Sequence, residues 1–149
     1  MDLRHDLLNM GVNLVTAAHE TMRGGLAVAW ACQAAQDQVL ICVGQQSFTR
    51  ALILASHAFG LNTLAREQLD LAKSFGTRST QSHDKFTGLA WHPGPTGSPL
   101  LEACPLSLDC RVETVYDREG GGKIILGRVA HIERRRETYE PLIYREQDY

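Results

Sequence analysis

The sequence predicts a mainly β protein whose strands close into a barrel. Short apolar segments rich in strand-forming side chains recur along the chain, separated by short polar or glycine-containing turns. Only two short segments show helical spacing, and helices do not alternate regularly with strands. In a protein that consists mainly of strands, the sheet removes its exposed edges by closing on itself.

Three strand segments are predicted in the first third of the chain. Residues 11–19 are rich in strand formers, and the glycines within residues 20–25 permit the positive φ angles of a turn. Residues 26–35 and 38–44 are two further apolar segments with a polar connection between them. We expect at least one of these three strands to be buried on both faces.

Two short helices and a fourth strand are predicted next. Residues 48–56 place apolar side chains at helical offsets, and Ser47 before them is a suitable N-cap. Residues 58–65 predict a strand. Residues 66–76 mix charged and apolar side chains with a period of about 3.6, and Gly76 is a suitable residue to follow this helix.

The last part of the chain predicts two loops and a long hairpin. Residues 77–88 are polar and irregular, and residues 91–99 hold three of the five prolines. Apolar and polar side chains alternate strictly over residues 106–112, which is typical of a half-buried strand. The glycine-rich residues 117–123 then form a turn, and residues 124–132 return as the partner strand.

Composition indicates a single domain, residues 1–149, that binds neither nucleic acid nor a membrane. The chain is 44% hydrophobic, which suffices for one core. A formal net charge of −2 gives no basic excess, and the run of three arginines at 134–136 lies among glutamates. No apolar segment is long enough to span a bilayer, and the first residues lack the pattern of a signal peptide.

The four cysteines predict neither a zinc site nor a redox motif, because none of them forms a Cys-x-x-Cys pair. Cys32, Cys42 and Cys110 lie inside apolar segments, where cysteine behaves as a small hydrophobic residue. We therefore expect reduced thiols in a cytoplasmic protein.

The patterns of several catalytic sites are missing from the sequence. The six histidines show no metal-ligand spacing, so no metal site is predicted. Neither a Gly-x-Ser-x-Gly elbow nor a Gly-x-Gly-x-x-Gly turn occurs, and the Gly-Gly-Gly-Lys stretch lacks the Ser or Thr of a phosphate loop. No catalytic residue is identified, and a bound cofactor would have to supply any redox chemistry.

The stretch VGQQSFTRAL, residues 43–52, is the first candidate binding segment. It places Ser47, Thr49 and Arg50 at a strand-to-helix junction, where the first helix amides lack internal acceptors and carry partial positive charge. Hydroxyls and a guanidinium beside such amides would hold a phosphate. The alternative is simple capping by Ser47, with Thr49 and Arg50 exposed.

Small side chains around Trp30 form the second candidate segment. Within residues 27–35 they would let a flat ring lie against backbone amides, although a tightly packed strand explains the same pattern. Residues 83–86, His-Asp-Lys-Phe, add a cation and an aromatic ring in a later loop.

In this order the segments resemble the flavin reductase-like family of FMN-binding split barrels, over about residues 8–149. The stretches that carry the resemblance are GVNLVTAAH, GGLAVAWACQAA, VLICVGQQSFTRALI, FGLNTL, SHDKFTGLAW, CPLSLDCRV with IILGRV, and PLIYREQDY. No single stretch is decisive, but their order and spacing together are specific.

The resemblance implies a Greek-key split β-barrel with a few short helices, usually a homodimer with a flavin near the subunit interface. The residues it places along the isoalloxazine ring are Trp30, Ala31, Cys32, Gln33, Ala34 and Ala35. Those it places at the ribityl chain and phosphate are Gly44, Gln45, Ser47, Phe48 and Thr49, to which charge adds Arg50. Lys85 and Phe86 would close over the ligand, either in the same chain or from a neighbouring one.

The resemblance also implies FMN, or FAD, as cofactor, and an NAD(P)H-dependent flavin reductase that supplies a flavin-dependent oxygenase. Two departures from the sequence pattern of the family concern the binding of the nicotinamide. The stretch EGGGKIILGRV lacks the Gly-Asp-His histidine associated with nicotinamide handling, and Gln81 stands where an arginine is common. An FMN-binding electron-transfer or sensor protein without nicotinamide turnover therefore stays an alternative, as does a small barrel without cofactor. The residues do not distinguish NADH from NADPH.

Overall fold

The computed structural model describes residues 1, 3–44, 47–76 and 84–149. The strands in this part of the chain are β1 (Asn13–His19), β2 (Met22–Val28), β3 (Ala31–Ala35), β4 (Gln38–Val43), β5 (Ala58–Thr63), β6 (Trp91–Pro93), β7 (Pro99–Leu101), β8 (Leu106–Asp117) and β9 (Lys123–Arg134). The α-helices are α1 (Phe48–Ser56) and α2 (Leu69–Gly76), and short 3-10 helices span Arg66–Gln68 and Glu146–Asp148. None of the helices in the described ranges has the length and apolar character needed to cross a bilayer.

Seven strands form one antiparallel sheet in the order β2-β1-β5-β8-β9-β4-β3. β2 and β3 lie at opposite ends of this order, yet only Ala29 and Trp30 separate them along the chain. Three Cα–Cα steps span at most about 11 Å, so the sheet must curl until its two ends meet. The predicted mainly β fold is confirmed, and its curled sheet is the arrangement expected of a split barrel.

Two buried clusters fill the space inside and beside the curled sheet. The first packs strand residues against α1, and its members include Val15, Ile41, Leu52, Ile53, Phe59 and Ile125. The second lies between β1, α2 and the C-terminal tail, and its members include Leu14, Leu64, Phe75, Phe86 and Leu142. Residues 14–17 of β1 are buried on both faces, which confirms the expectation for the first three strands.

Both predicted helices are present, with one boundary shifted. Ser47 is the N-cap of α1, and its side chain accepts a hydrogen bond from Arg50 N at 3.2 Å. α1 ends at Ser56, and the C-cap residue His57 adopts a left-handed conformation and donates its N–H to Ile53 O at 2.8 Å. Gly76 is the last residue of α2 instead of the residue that follows it.

The structure corrects the sequence prediction in two strand segments. Residues 26–35 are not one strand, because the chain leaves one end of the sheet and joins the other at Ala29 and Trp30. Gly24 and Gly25 lie inside β2 and not in a turn. A Cβ on Gly25 would lie 2.6 Å from Phe75 Cε1, so this glycine permits close packing of α2 on the strand.

The proline-rich residues 91–99 form a small hairpin, β6–β7, where the sequence predicts only a loop. His92 ties this hairpin to the main sheet, since its Nε2 lies 2.8 Å from Glu133 Oε1 and its Nδ1 lies 3.2 Å from Glu102 Oε1. The hydrogen bond to Glu133 raises the pKa of His92 above its ordinary value of 6.5. Burial opposes ionisation of Glu133, but bonds to His92 and His131 hold the pKa of Glu133 below 4.5.

This ion pair is expected to stabilise the fold most at mildly acid pH. The contribution of His92 is fully present below its unfolded pKa of about 6.5 and is lost as the pH rises through its higher folded pKa. The contribution of Glu133 is lost at the acid end, as the pH falls through its lowered folded pKa. Because the His92 side chain is 39% exposed, the gain stays below about 1 kcal/mol.

Urea unfolding of the wild type and of His92→Gln at about pH 5.5 and about pH 9 measures this effect. The difference in free energy of unfolding between the two proteins should shrink at the higher pH. A difference that is equal at both values would show that the pair does not contribute through its charge.

Candidate functional site

A cavity of about 420 Å³ opens beside the break between β2 and β3. One side is formed by residues 26–29, whose side chains are small or moderate in size. The other lining residues include His5, Trp30, Cys42, Gly44, Gly76, Tyr144 and Tyr149. We call this space the aromatic cavity. Its walls thus combine a strand segment that exposes little side chain with several aromatic rings.

The two chain termini form the aromatic wall of this cavity together. Val12 N donates to Leu142 O at 2.7 Å, and Tyr144 N donates to Met10 O at 2.8 Å, so the tail runs beside the segment before β1. The rings of Tyr144 and Tyr149 lie 5.4 Å apart between centroids. The pKa of Tyr149 is raised by burial first and then by the charge of Asp148, so its phenol stays protonated at neutral pH.

The first turn of α1 contacts Gly44 of the aromatic cavity, since Arg50 Nη1 donates to Gly44 O at 2.8 Å. A Cβ built on Gly44 would meet no atom within 4 Å, so packing within the chain does not demand a glycine there. Ser47 caps the helix, as described above. A negatively charged group at this position would meet the partial positive charge of the first amides of a nine-residue helix.

The two polar neighbours of Ser47 have contacts within the chain. Thr49 is only 2% exposed and packs inside the first turn of α1. Arg50 Nη1 donates to Gly44 O and to Gly121 O, both at 2.8 Å, and so ties this turn to the β8–β9 hairpin. The alternative in which both are simply exposed is therefore wrong for Thr49. The contact of Arg50 with a phosphate stays a prediction, beside an observed role in holding the turn.

The small-residue segment is divided between two cavities. Trp30 lines the aromatic cavity and is 41% exposed. Ala31, Cys32 and Gln33 instead line a second cavity of about 300 Å³, whose other walls include Ile132 and Arg134. Ala34 and Ala35 are exposed at the end of β3. Of the predicted flavin contacts that the structure describes, Trp30 and Gly44 are the two among the lining residues of the aromatic cavity.

Lys85 and Phe86 are buried, and neither of them lines the aromatic cavity or the second cavity. Lys85 Nζ donates to Phe75 O at 2.6 Å and to Gly25 O at 3.1 Å, which joins the end of α2 to β2. Burial lowers the pKa of Lys85. The Phe86 ring is 2% exposed and packs edge-on against Phe75 at 5.5 Å. Their expected closure over a ligand stays a prediction that these contacts do not support.

Several lining residues were not predicted from the sequence. His5, Gly76, Tyr144 and Tyr149 are distant in sequence from the two candidate segments, and only the folded termini bring them together. The PLIYREQDY stretch was the one available signal, because it carries two tyrosines after an apolar segment. Gln45, Gln81 and His83 lie outside the described residues, and the predictions that concern them stay predictions.

The cysteines are all free, but they differ in environment. Burial raises the pKa of Cys104 and of Cys110 to about 12, which makes both thiols unreactive. Cys42 is partly buried, and burial also raises its pKa. Cys32 is exposed, so the expectation that it is a packed hydrophobic residue is wrong. No cluster of metal-ligating side chains is found among the residues that the structure describes.

Comparisons with known proteins agree with the resemblance drawn from the sequence motifs. The family model of the flavin reductase like domain matches residues 4–149. The reductase subunit HsaB of a flavin-dependent monooxygenase from Rhodococcus jostii is 35% identical over 143 residues, which cover 92% of this chain and 69% of that protein. FMN reductase (NADH) RutF 2 from Rhizobium rhizogenes is 33% identical over 121 residues, covering 80% of this chain and 68% of that protein.

A solved structure gives the same result at the level of the fold. Nitrilotriacetate monooxygenase component B from Mycobacterium thermoresistibile superposes with a TM-score of 0.82 at 30% identity, and the match covers 92% of this chain and 76% of that one. The motif order, the curled antiparallel sheet and the match along nearly the full length agree. The chain therefore belongs to the flavin reductase-like domain family.

Proposed function

We propose that this protein binds FMN in the aromatic cavity and catalyses reduction of the flavin by NADH or NADPH. The observation that carries the proposal is the junction of the cavity with the N-terminus of α1 at Gly44, in a chain of this family. FMN carries a flat ring at one end and a phosphate at the other. The ring would lie in the aromatic cavity, and the phosphate would lie at the neighbouring N-terminus of α1. The relatives named above are a reductase subunit and an FMN reductase (NADH), which supports the same activity.

The residues present fit an FMN molecule in size and in chemistry. The cavity volume of about 420 Å³ lies in the range of small-molecule sites, roughly 300–1,000 Å³. Residues 26–29 form one wall, where small side chains leave backbone amides accessible to ring heteroatoms. Ser47 and the first amides of α1 would hold the phosphate, with open space beside Gly44 for the ribityl chain.

In this mechanism the flavin, when bound, supplies the hydride and electron chemistry. The side chains of the chain bind and orient the ring. The Trp30, Tyr144 and Tyr149 rings give a flat ligand an apolar wall and keep water from one side of it. Hydride transfer would require the nicotinamide to stack on the face of the ring opposite this wall.

A second candidate function is FMN binding for electron transfer or sensing, without nicotinamide turnover. The β8–β9 turn favours it, because Gly120 and Gly121 adopt positive φ there and no histidine occurs in this turn. A small barrel without any cofactor is the third alternative.

Measurements on the purified protein distinguish the three functions. The proposed reductase should bind FMN with a rise in Tm and oxidise NADH or NADPH steadily when FMN is in excess. Bound FMN without turnover of either nucleotide would favour the electron-transfer protein. A Tm and a visible spectrum unchanged by FMN and FAD would leave only the cofactor-free barrel.

We further propose a homodimer in the cytoplasm and a flavin-dependent oxygenase as redox partner. The oxygenase is suggested by a relative that is the reductase subunit of such an enzyme. The apolar tail does not require a second subunit for cover, since Leu142 is 6% exposed within its own chain. Support for a dimer comes instead from exposed apolar side chains such as Trp30 and Ile132.

A further inference from the structure

The N-terminal segment places a histidine at the wall of the aromatic cavity, and neither the sequence motifs nor the family relationship assigns it a role. His5 lines this cavity, and its ring lies 5.9 Å from the Trp30 ring between centroids, at an angle of 53°. Its side chain is 63% exposed, so packing does not explain the position.

Specific contacts hold the His5 ring in place. Nδ1 lies 2.8 Å from Glu146 Oε1, across the junction of the N-terminal segment and the C-terminal tail. Glu146 is itself held, because its backbone N donates to Asp6 Oδ2 at 3.0 Å. A residue of the C-terminal tail thus holds the ring.

The Glu146 contact decides which ring nitrogen carries the proton. A carboxylate only accepts hydrogen bonds, so Nδ1 must be the donor in this pair. In the neutral imidazole, Nε2 is then an acceptor with a free lone pair. Among the described residues Nε2 has no hydrogen-bond partner. An acceptor beside an exposed tryptophan suits a planar heteroaromatic ligand that carries an N–H donor at its edge.

We propose that His5, oriented by Glu146, binds the edge amide of a planar heteroaromatic ligand that lies against Trp30. Two ligands of the proposed function share this chemistry: the flavin, through its N3–H, and the nicotinamide, through its carboxamide N–H. The inference rests on that proposed function and adds a specificity residue to it. The expected worth of one neutral hydrogen bond corresponds to roughly 3- to 10-fold in affinity.

The test pairs variants with ligands that lack the donor. Dissociation constants are measured for FMN and N3-methyl-FMN by flavin fluorescence, and KM and kcat are measured for NADH and its reduced 3-acetylpyridine analogue. The variants are His5→Ala, His5→Gln, which keeps an acceptor, and Glu146→Gln. His19→Ala is the matched control, because His19 is also a partly exposed histidine beside a glutamate, 3.8 Å from Glu20 Oε1.

We expect His5→Ala to lower the affinity for one of the two natural ligands, FMN or NADH, by roughly 3- to 10-fold, with kcat unchanged. The analogue that lacks this N–H should bind the wild type more weakly than the natural ligand does. Its affinity should be the same for the wild type and for His5→Ala. His5→Gln should restore part of the affinity, Glu146→Gln should lose part of it, and His19→Ala should match the wild type. A loss for FMN identifies the flavin edge, and a raised KM for NADH identifies the carboxamide.

Wild-type affinities for all four ligands in His5→Ala would overturn the inference and leave the proposed function intact. An equal loss for each natural ligand and its analogue would also overturn it, because it would indicate general damage to the cavity. A wild type that binds no flavin would contradict the proposed function itself, before any variant is compared.

Discussion

Replacing Asn62 by alanine is expected to lower the free energy of unfolding by about 3–5 kcal/mol. Asn62 is fully buried in β5, where its Nδ2 donates to Leu14 O at 3.1 Å and to Thr16 Oγ1 at 3.3 Å. Its Oδ1 accepts from Leu101 N at 3.0 Å and from Ser107 Oγ at 2.7 Å. One side chain therefore satisfies four polar groups on three other strands, β1, β7 and β8.

The large effect follows from what the substitution leaves behind. Alanine removes two N–H donors and an acceptor, so the buried Leu101 N–H and the buried Ser107 hydroxyl lose their acceptor. The side-chain volume is lost as well. Asn13→Ala is the matched control, because Asn13 is only partly buried and makes one local bond, to Gly11 O at 3.3 Å. Urea denaturation measures both variants, and a loss below about 1 kcal/mol for Asn62→Ala would show that the network is not important.

Replacing Ser47 by aspartate is expected to keep α1 capped but to weaken FMN binding at least about 10-fold. Aspartate is as good an N-cap as serine, so the free energy of unfolding should change little. Its carboxylate would stand where the phosphate is proposed to bind. Two unit charges about 4 Å apart repel by about 1 kcal/mol in water and by about 4 kcal/mol at a partly screened protein surface.

Riboflavin is the control ligand for this variant, because it has the same ring without the phosphate. Its dissociation constant should be the same for the wild type and for Ser47→Asp. An unchanged FMN affinity in Ser47→Asp would place the phosphate elsewhere. A double alanine variant at Ser47 and Thr49 is less informative, since Thr49 is 2% exposed and its loss would also disturb the packing of α1.

Local chemistry made part of this protein predictable. The helix that starts after Ser47 and the alternating strand from Leu106 follow from capping and from period-two patterning, which depend on neighbours in sequence. The break at Ala29 and Trp30 could not be predicted in this way. A strand that leaves one end of a sheet and enters the other has the same apolar composition as one continuous strand.

The candidate site likewise contains residues that the local sequence predicts and residues that only the tertiary structure identifies. The sequence pointed to Trp30 and to the Gly44–Ser47 turn, because small residues around an aromatic ring and a polar start to a helix are visible locally. It assigned Lys85 and Phe86 to a ligand of the same or of a neighbouring chain, and within this chain both side chains are buried. The difference arises because whether a cation faces a ligand or two backbone carbonyls depends on distant elements, here α2 and β2.

The sequence alone determined the fold class, the family and one end of the candidate site, since each is written in residue types at short spacing. Only the tertiary structure decided that the two termini meet and bring His5 and Tyr149 to one cavity. That meeting depends on backbone hydrogen bonds between residues more than a hundred positions apart, such as Val12 to Leu142. No local pattern encodes such a pairing, because backbone N–H and C=O groups are nearly the same in every residue.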